Sequence, residues 1–146
     1  MKGQVVKSTL KLNEIFVEKV EYKRSENFNQ SLDNELKFKF ESSIDEKDNN
    51  IYKVSIKVNI SSGEDDNLVI NVRMCALFGF AFNEELGNDI RKSMLEKNTL
   101  AIMYPYVRSY ITTISSQSGI NPIILPTINI SAMIDSQKKS DDSIKK

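Results

Sequence analysis

Five groups of side chains in this sequence have the types and spacing to do chemistry. Cys75 could serve as a nucleophile, and Glu64, Asp65 and Asp66 could hold a divalent cation. Glu84 and Glu85 with Arg91 and Lys92 could form an acid–base pair; Lys37, Lys39, Lys53 and Lys57 could meet phosphate; Tyr106 with Arg108 could grip a ligand. Each falls short of what its chemistry requires. The chain contains no histidine, so Cys75 has no activating base, and among apolar neighbours it reads as a small core residue. The acidic triplet lacks the alternation and distal glutamate of a calcium loop and reads as a solvated hairpin tip. Nothing places Glu84 and Glu85 around a cleft, and the lysines alternate as ordinary outward positions. Tyr106 and Arg108 lie beside an apolar stripe, on a helix face that meets solvent or a neighbouring subunit. The 5 glycines form no phosphate-cradling pattern. The expectation is a protein without enzymatic activity, metal or cofactor.

Composition narrows the partners. Lys plus Arg and Asp plus Glu number 20 each, for a formal net charge of zero, so no global field draws the chain to nucleic acid or to an acidic membrane. A single cysteine excludes a disulfide framework and suits a reducing cytoplasm. The N-terminal residues show no apolar core before a cleavage site, and no run approaches the ~20 apolar residues of a membrane span. A soluble, cytoplasmic protein that is not itself exported is expected. At 146 residues the chain suits one domain, placed at residues 1–135, with residues 136–146 a polar tail too poor in apolar side chains to fold.

The elements that must position these residues follow from periodicity. Leu10, Leu12, Phe16, Val20 and Tyr22 share one parity, while Ile15 and Val17 break it, predicting a long first strand with a bulge. Residues 25–33 are polar and read as a crossover loop. Leu36, Phe38 and Phe40 alternate with lysines; Tyr52, Val54, Ile56, Val58 and Ile60 alternate with polar residues; Leu68, Ile70 and Val72 begin a fourth strand. Met74 to Phe80 is apolar on both parities, which predicts burial on both faces through assembly into a homo-oligomer. Residues 84–97 read as a charged connection, briefly helical around Leu86, Ile90 and Leu95, that delivers Asn98 or Thr99 as N-cap of the main helix. Leu100, Met103, Tyr104, Val107, Ile111 and Ile114 form its apolar stripe, and Pro105 falls early, where its missing N–H matters least. The expected class is α+β: a four-stranded antiparallel sheet with a long helix from the C-terminal half packed on one face, oligomerising through sheet and helix.

Beyond Gly119, Ile123-Ile124-Leu125, Pro126 and Ile128-Asn129-Ile130 make a Pro-punctuated run, too apolar for an ordinary surface loop and too broken for an interior strand. We read it as an extended wall beside a groove. The motif Tyr104-Pro105-Tyr106-Val107-Arg108, Gly119 at the helix end, Pro122-Ile123-Ile124-Leu125-Pro126 and Ile128-Asn129-Ile130 resembles the SecB family of protein-export chaperones, over about residues 8–135.

The resemblance implies an ATP-independent holdase that keeps unfolded preproteins translocation-competent in apolar grooves, assembled as a homotetramer, a dimer of dimers. It implies a client-binding groove at Phe16, Tyr22, Leu77, Phe78, Ile123, Ile124, Leu125, Ile128, Ile130, Met133 and Ile134. It also implies an oligomer interface at Ile70, Val72 and Met74, to which the helix stripe adds Tyr104, Val107 and Ile111. The family docks the SecA translocase motor through acidic positions that fall here on Lys19, Lys23 and Asn71, none of them acidic. A partner other than that motor, such as an antitoxin in a toxin–antitoxin system, therefore stays open, as does an oligomeric adaptor module whose apolar run serves self-association alone. The second helix expected near the C-terminus is short or absent on this reading.

Overall fold

A computed structural model describes residues 8–29, 35–63, 66–82, 88–129 and 132 of the chain. Four strands precede one helix: β1 Ser8–Arg24, β2 Leu36–Asp48, β3 Ile51–Ser62, β4 Leu68–Phe82 and α1 Asn88–Gln117. The sheet is antiparallel throughout in the order β1-β4-β3-β2. Two hairpins follow directly from turn chemistry. Asn50 at φ 61° turns β2 into β3, with the Asp48 carboxylate accepting the Asn49 N–H at 2.7 Å. Gly63 and Asp66, at φ 57° and 47°, turn β3 into β4, where the Ser62 hydroxyl accepts the Leu68 N–H. Glu64 and Asp65 of the expected acidic tip lie outside the described residues.

The connection between β1 and β2 crosses the sheet from one edge to the other, as the polar loop suggested. Its first residues are anchored: the Ser25 N–H donates to the Asn67 carbonyl at 2.7 Å, and the buried Phe28 ring lies 5.4 Å from the Arg24 guanidinium. The break in β1 is real and double. Register shifts fall between Leu12 and Glu14 and between Val17 and Lys19, so each bulge restores the parity that puts Leu10, Leu12, Ile15, Val17 and Tyr22 against the core.

That core lies between one sheet face and α1. Val54, Ile56, Val58 and Ile60 of β3 and Leu68, Ile70, Val72, Met74, Ala76, Phe78 and Phe80 of β4 are buried there. The helix contributes Leu95, Thr99, Leu100, Met103, Tyr104, Val107, Ile111 and Ser115, at spacings of three and four that keep one stripe inward.

The helix begins ten residues before the predicted N-cap. Thr99 does not cap it: its side chain is fully buried and its hydroxyl donates back to the Leu95 carbonyl at 2.7 Å, as a threonine inside a helix does. Leu95 stands four residues before Thr99 and starts the inward stripe. Pro105 therefore sits mid-helix, on the exposed side, and removes one interior hydrogen bond. The both-faces reading of Met74–Phe80 also changes. Cys75 is fully buried within the single chain, with the Ser55 hydroxyl and the Glu18 carboxylate each 3.3 Å from its sulfur. Its burial thus gives no argument for a second subunit.

Candidate functional site

Past the helix the chain reverses at Gly119, whose φ of +83° suits a residue without Cβ. Two β1 side chains hold the turn: the Tyr22 hydroxyl donates to the Ser118 carbonyl at 3.3 Å and Arg24 to the Gly119 carbonyl at 3.2 Å. Residues 121–129 then run without regular structure, back along the helix and tied to it by three side chains. The Ile123 N–H donates to the Ser115 hydroxyl at 2.8 Å, Thr112 donates to the Ile123 carbonyl at 2.8 Å, and the Tyr104 hydroxyl donates to the Pro126 carbonyl. From Thr112 to Tyr104 is about 12 Å of helix, and three extended residues reach about 10 Å, so the segment is antiparallel to α1 and nearly straight.

A straight segment alternates its side chains. Ile123 and Leu125 are buried while Ile124, between them, is 64% exposed; Ile128 packs half-buried on the core margin. The wall is thus pinned from the inside and shows one large apolar residue outward. Between Pro122 and Pro126 the alternation of period two holds from Ile123 to Leu125.

The remaining groove candidates do not converge with it. Phe16 lines a separate open depression of about 370 Å³ between the β1 edge and the helix, with Ile15, Val17, Met74, Tyr106 and Tyr110. Leu77 is half-buried on the sheet face away from the helix, opposite Glu14 and Lys53. Phe78 is fully buried in the core, where no client can reach it while the helix stays in place. Ile130, Met133 and Ile134 lie outside the described residues, as do residues 136–146 and Glu84-Glu85. The six interface candidates are likewise covered within the chain: Ile70, Val72, Val107 and Ile111 are fully buried, and Met74 and Tyr104 nearly so. Burial also raises the Tyr104 hydroxyl pKa above its ordinary value, against the opposing charge of Arg108. Val20, Ile102 and Tyr106 are instead left 45%, 37% and 48% exposed by the chain.

The sheet face away from the helix carries the charge. Glu18, at the second bulge, has its carboxylate 2.9 Å from the Lys53 ammonium and 3.2 Å from Arg73 Nε, and it accepts from Cys75 at 3.3 Å. The Arg73 contact lies off the angle of a hydrogen bond, so it is a charge contact only. The Lys53 bond, then that from Cys75, holds Glu18 below the ordinary carboxylate range, and Glu18 in turn raises Lys53. Lys19, Lys23 and Asn71 share this face, opposite Arg73, Val69 and Glu21 respectively. Sequence reasoning had no signal for the Glu18 cluster, because cross-strand partners follow from register alone. Among the described residues no three His, Cys, Asp or Glu side chains gather as a metal would need, and no helix is long and apolar enough to cross a membrane.

Comparison with known proteins bears on this geometry. The family model SecB, Preprotein translocase subunit SecB, matches residues 4–141. Protein-export protein SecB of Anaplasma phagocytophilum (strain HZ) is 30% identical over 89 residues, which are 60% of this chain and 56% of that protein. Protein-export protein SecB of Ehrlichia canis (strain Jake) is 28% identical over 106 residues, 68% of this chain and 60% of that one. The chain thus spans less than two thirds of the length of these curated relatives. Among solved structures, a SecB-like chaperone of Mycobacterium tuberculosis in complex with a ChAD peptide from the HigA1 antitoxin is similar in fold, with a TM-score of 0.64 at 15% identity. The match covers 82% of this chain and 88% of that one.

Proposed function

The chain belongs to the SecB family, and from that membership and the geometry of its wall we propose an ATP-independent holdase that binds nonnative polypeptides and keeps them competent for export. The observation that carries the reading is the segment after the helix, held by Ser115, Thr112 and Tyr104 so that Ile124 stays in water. Placing an isoleucine outward on a rigid, extended support serves a binding surface, because burying such a side chain contributes about 1.5–3 kcal/mol to whatever covers it. A client engaged only while unfolded is kept from folding by mass action, and several weak contacts along one chain add through avidity. Apolar contacts of this kind discriminate little between sequences, which suits a chaperone of many clients.

Assembly belongs to the same proposal. β1 is a 17-residue edge strand, long enough to pair with a second copy, and beyond the exposed Asp89 and Lys92 of its first turns α1 shows outward Ala101, Ile102, Pro105, Tyr106, Ser109 and Thr113, without a charge among them. Such surfaces suit a homo-oligomer, a tetramer built as a dimer of dimers. A cytoplasmic setting accords with the free, buried Cys75. A second reading, a SecB-like chaperone that holds an antitoxin, is favoured by Lys19 and Lys23 at positions where the SecA-docking pattern is acidic. Suppression of aggregation of a slow-folding client, at matched oligomer concentration, tests the holdase. Its absence removes that reading and leaves a self-associating adaptor; a light-scattering mass of a monomer at micromolar concentration removes the assembly.

A further inference from the structure

The sheet face away from the helix places like charges side by side. Lys19 of β1, Arg73 of β4 and Lys57 of β3 are successive cross-strand partners, one row of three cations. Directly opposed like charges destabilise a sheet, and little here offsets them. The Glu18 carboxylate is shared between Arg73 and Lys53. Glu41, across from Lys57 on β2, is engaged by Lys39 at 3.2 Å. Among the described residues neither Lys19 nor Lys57 has an ion-pair partner. The three cations border an open depression of about 380 Å³ whose other polar lining is the carboxamides of Asn59 and Asn71. The next two rows along the strands add Lys39, Lys23 and Lys37, against Glu21 as their one acid.

We propose that this depression is a docking site for an acidic, extended segment of a partner protein, with carboxylates at alternate residues. Strands lie about 4.8 Å apart, so the row from Lys19 to Lys57 spans about 10 Å, and alternate side chains of an extended peptide, about 6.6 Å apart, place two carboxylates within it. The Asn59 amide can donate to such carboxylates beside the charges, and Asn71 Nδ2, which already donates to the Glu21 carboxylate at 3.2 Å, has a second hydrogen to offer. The occupant is a peptide rather than a nucleic acid. Glu21 and Glu41 border the row on β1 and β2, so a continuous phosphate backbone leaving it would run onto like charge, whereas a short peptide carrying two carboxylates ends within it. The chain's net charge of zero also withholds the long-range field that nucleic-acid binding draws on. The site stands on the opposite sheet face from the wall at Ile124, so it is independent of client holding.

The test uses fluorescence anisotropy of the whole protein with a labelled heptapeptide alternating Asp with Ser. Its counterpart has Asn for every Asp, and a single-stranded oligonucleotide serves as competitor. The acidic peptide is expected to bind roughly tenfold or more tightly than the amide version, with affinity falling as salt rises. The double variant Lys19→Glu with Lys57→Glu is expected to lose it and to gain a peptide alternating Lys with Ser, with client protection unchanged. Both lysines are exposed, and the single variant Lys19→Glu repeats the loss where the double variant melts early. Equal binding of acidic and amide peptides, retention of the acidic peptide by the charge-reversed variants, or tighter binding of the oligonucleotide would each overturn the proposal.

Discussion

Replacing Ser115 with alanine isolates the joint between wall and helix. The Ser115 hydroxyl is fully buried and accepts the Ile123 N–H at 2.8 Å while donating to the Ile111 carbonyl. Ser115→Ala leaves that N–H inside the protein without an acceptor. An orphaned buried donor costs about 1–3 kcal/mol, or roughly a 5- to 150-fold shift in the opening equilibrium of the wall. The gain in helix propensity from serine to alanine returns only about 0.5 kcal/mol. Hydrogen exchange followed by NMR reads the result residue by residue. The Ile123 amide is expected to accelerate by that factor, while the amide of Val107, in the middle of the helix, follows only the smaller change in global stability. Ser116→Ala, on the exposed side where the hydroxyl bonds to Thr113, is the control and should leave both within about 0.5 kcal/mol. Equal acceleration of Ile123 and Val107 in Ser115→Ala would refute the reasoning, since it would mean that the wall has no anchoring separate from the fold. Loss of aggregation suppression in the same variant, with the helix intact, would tie the anchored wall to client holding.

Three further outcomes follow from particular residues. Ile124→Asp is expected to weaken suppression of client aggregation while leaving the melting temperature nearly unchanged, because a side chain 64% exposed contributes little to the fold; unaltered suppression would remove Ile124 from the binding surface. Val72→Asp should unfold the chain rather than split an oligomer, since it sets a carboxylate in a fully buried site at a cost of several kcal/mol; a folded, smaller particle seen by circular dichroism and light scattering would contradict this placement. Glu18→Gln should lower the melting temperature at neutral pH, with the gap to the parent closing as pH falls below about 4.5. The sign follows from linkage: a carboxyl held below its unfolded value adds stability above that value and loses it as pH falls through the folded one. The raised Lys53 adds stability fully present below its ordinary 10.5 and lost as pH rises through its higher folded value. A gap that persists into acid would show that the Glu18 carboxylate is not the stabilising group.

Much of the fold was legible because strand alternation is a local property. Tyr52 to Ile60 and Leu68 to Phe80 announce their inward faces in the order of the residues, and the turn residues between them set the hairpins. The interior start of α1 was missed because Asn98 and Thr99 have the chemistry of a cap, and only the sheet's cover over Leu95 shows that the stripe begins earlier. Candidate groove and interface residues came from the family resemblance and the helix stripe, and neither says which apolar residues the chain buries for itself. Phe78, Val72 and Ile111 are covered; Ile124 is not.

The amino-acid order alone determined the class of fold, the lack of histidine chemistry and the Pro-punctuated run after Gly119. Only the tertiary structure decided that β1 crosses to pair with β4, which assembles Glu18 with Lys53 and Cys75 and sets Lys19 beside Arg73. It likewise decided that the run lies against α1 with Ile123 and Leu125 inward and Ile124 outward. Both outcomes depend on contacts between residues far apart in sequence, where a shift of register by one residue would turn each of these side chains to the other face.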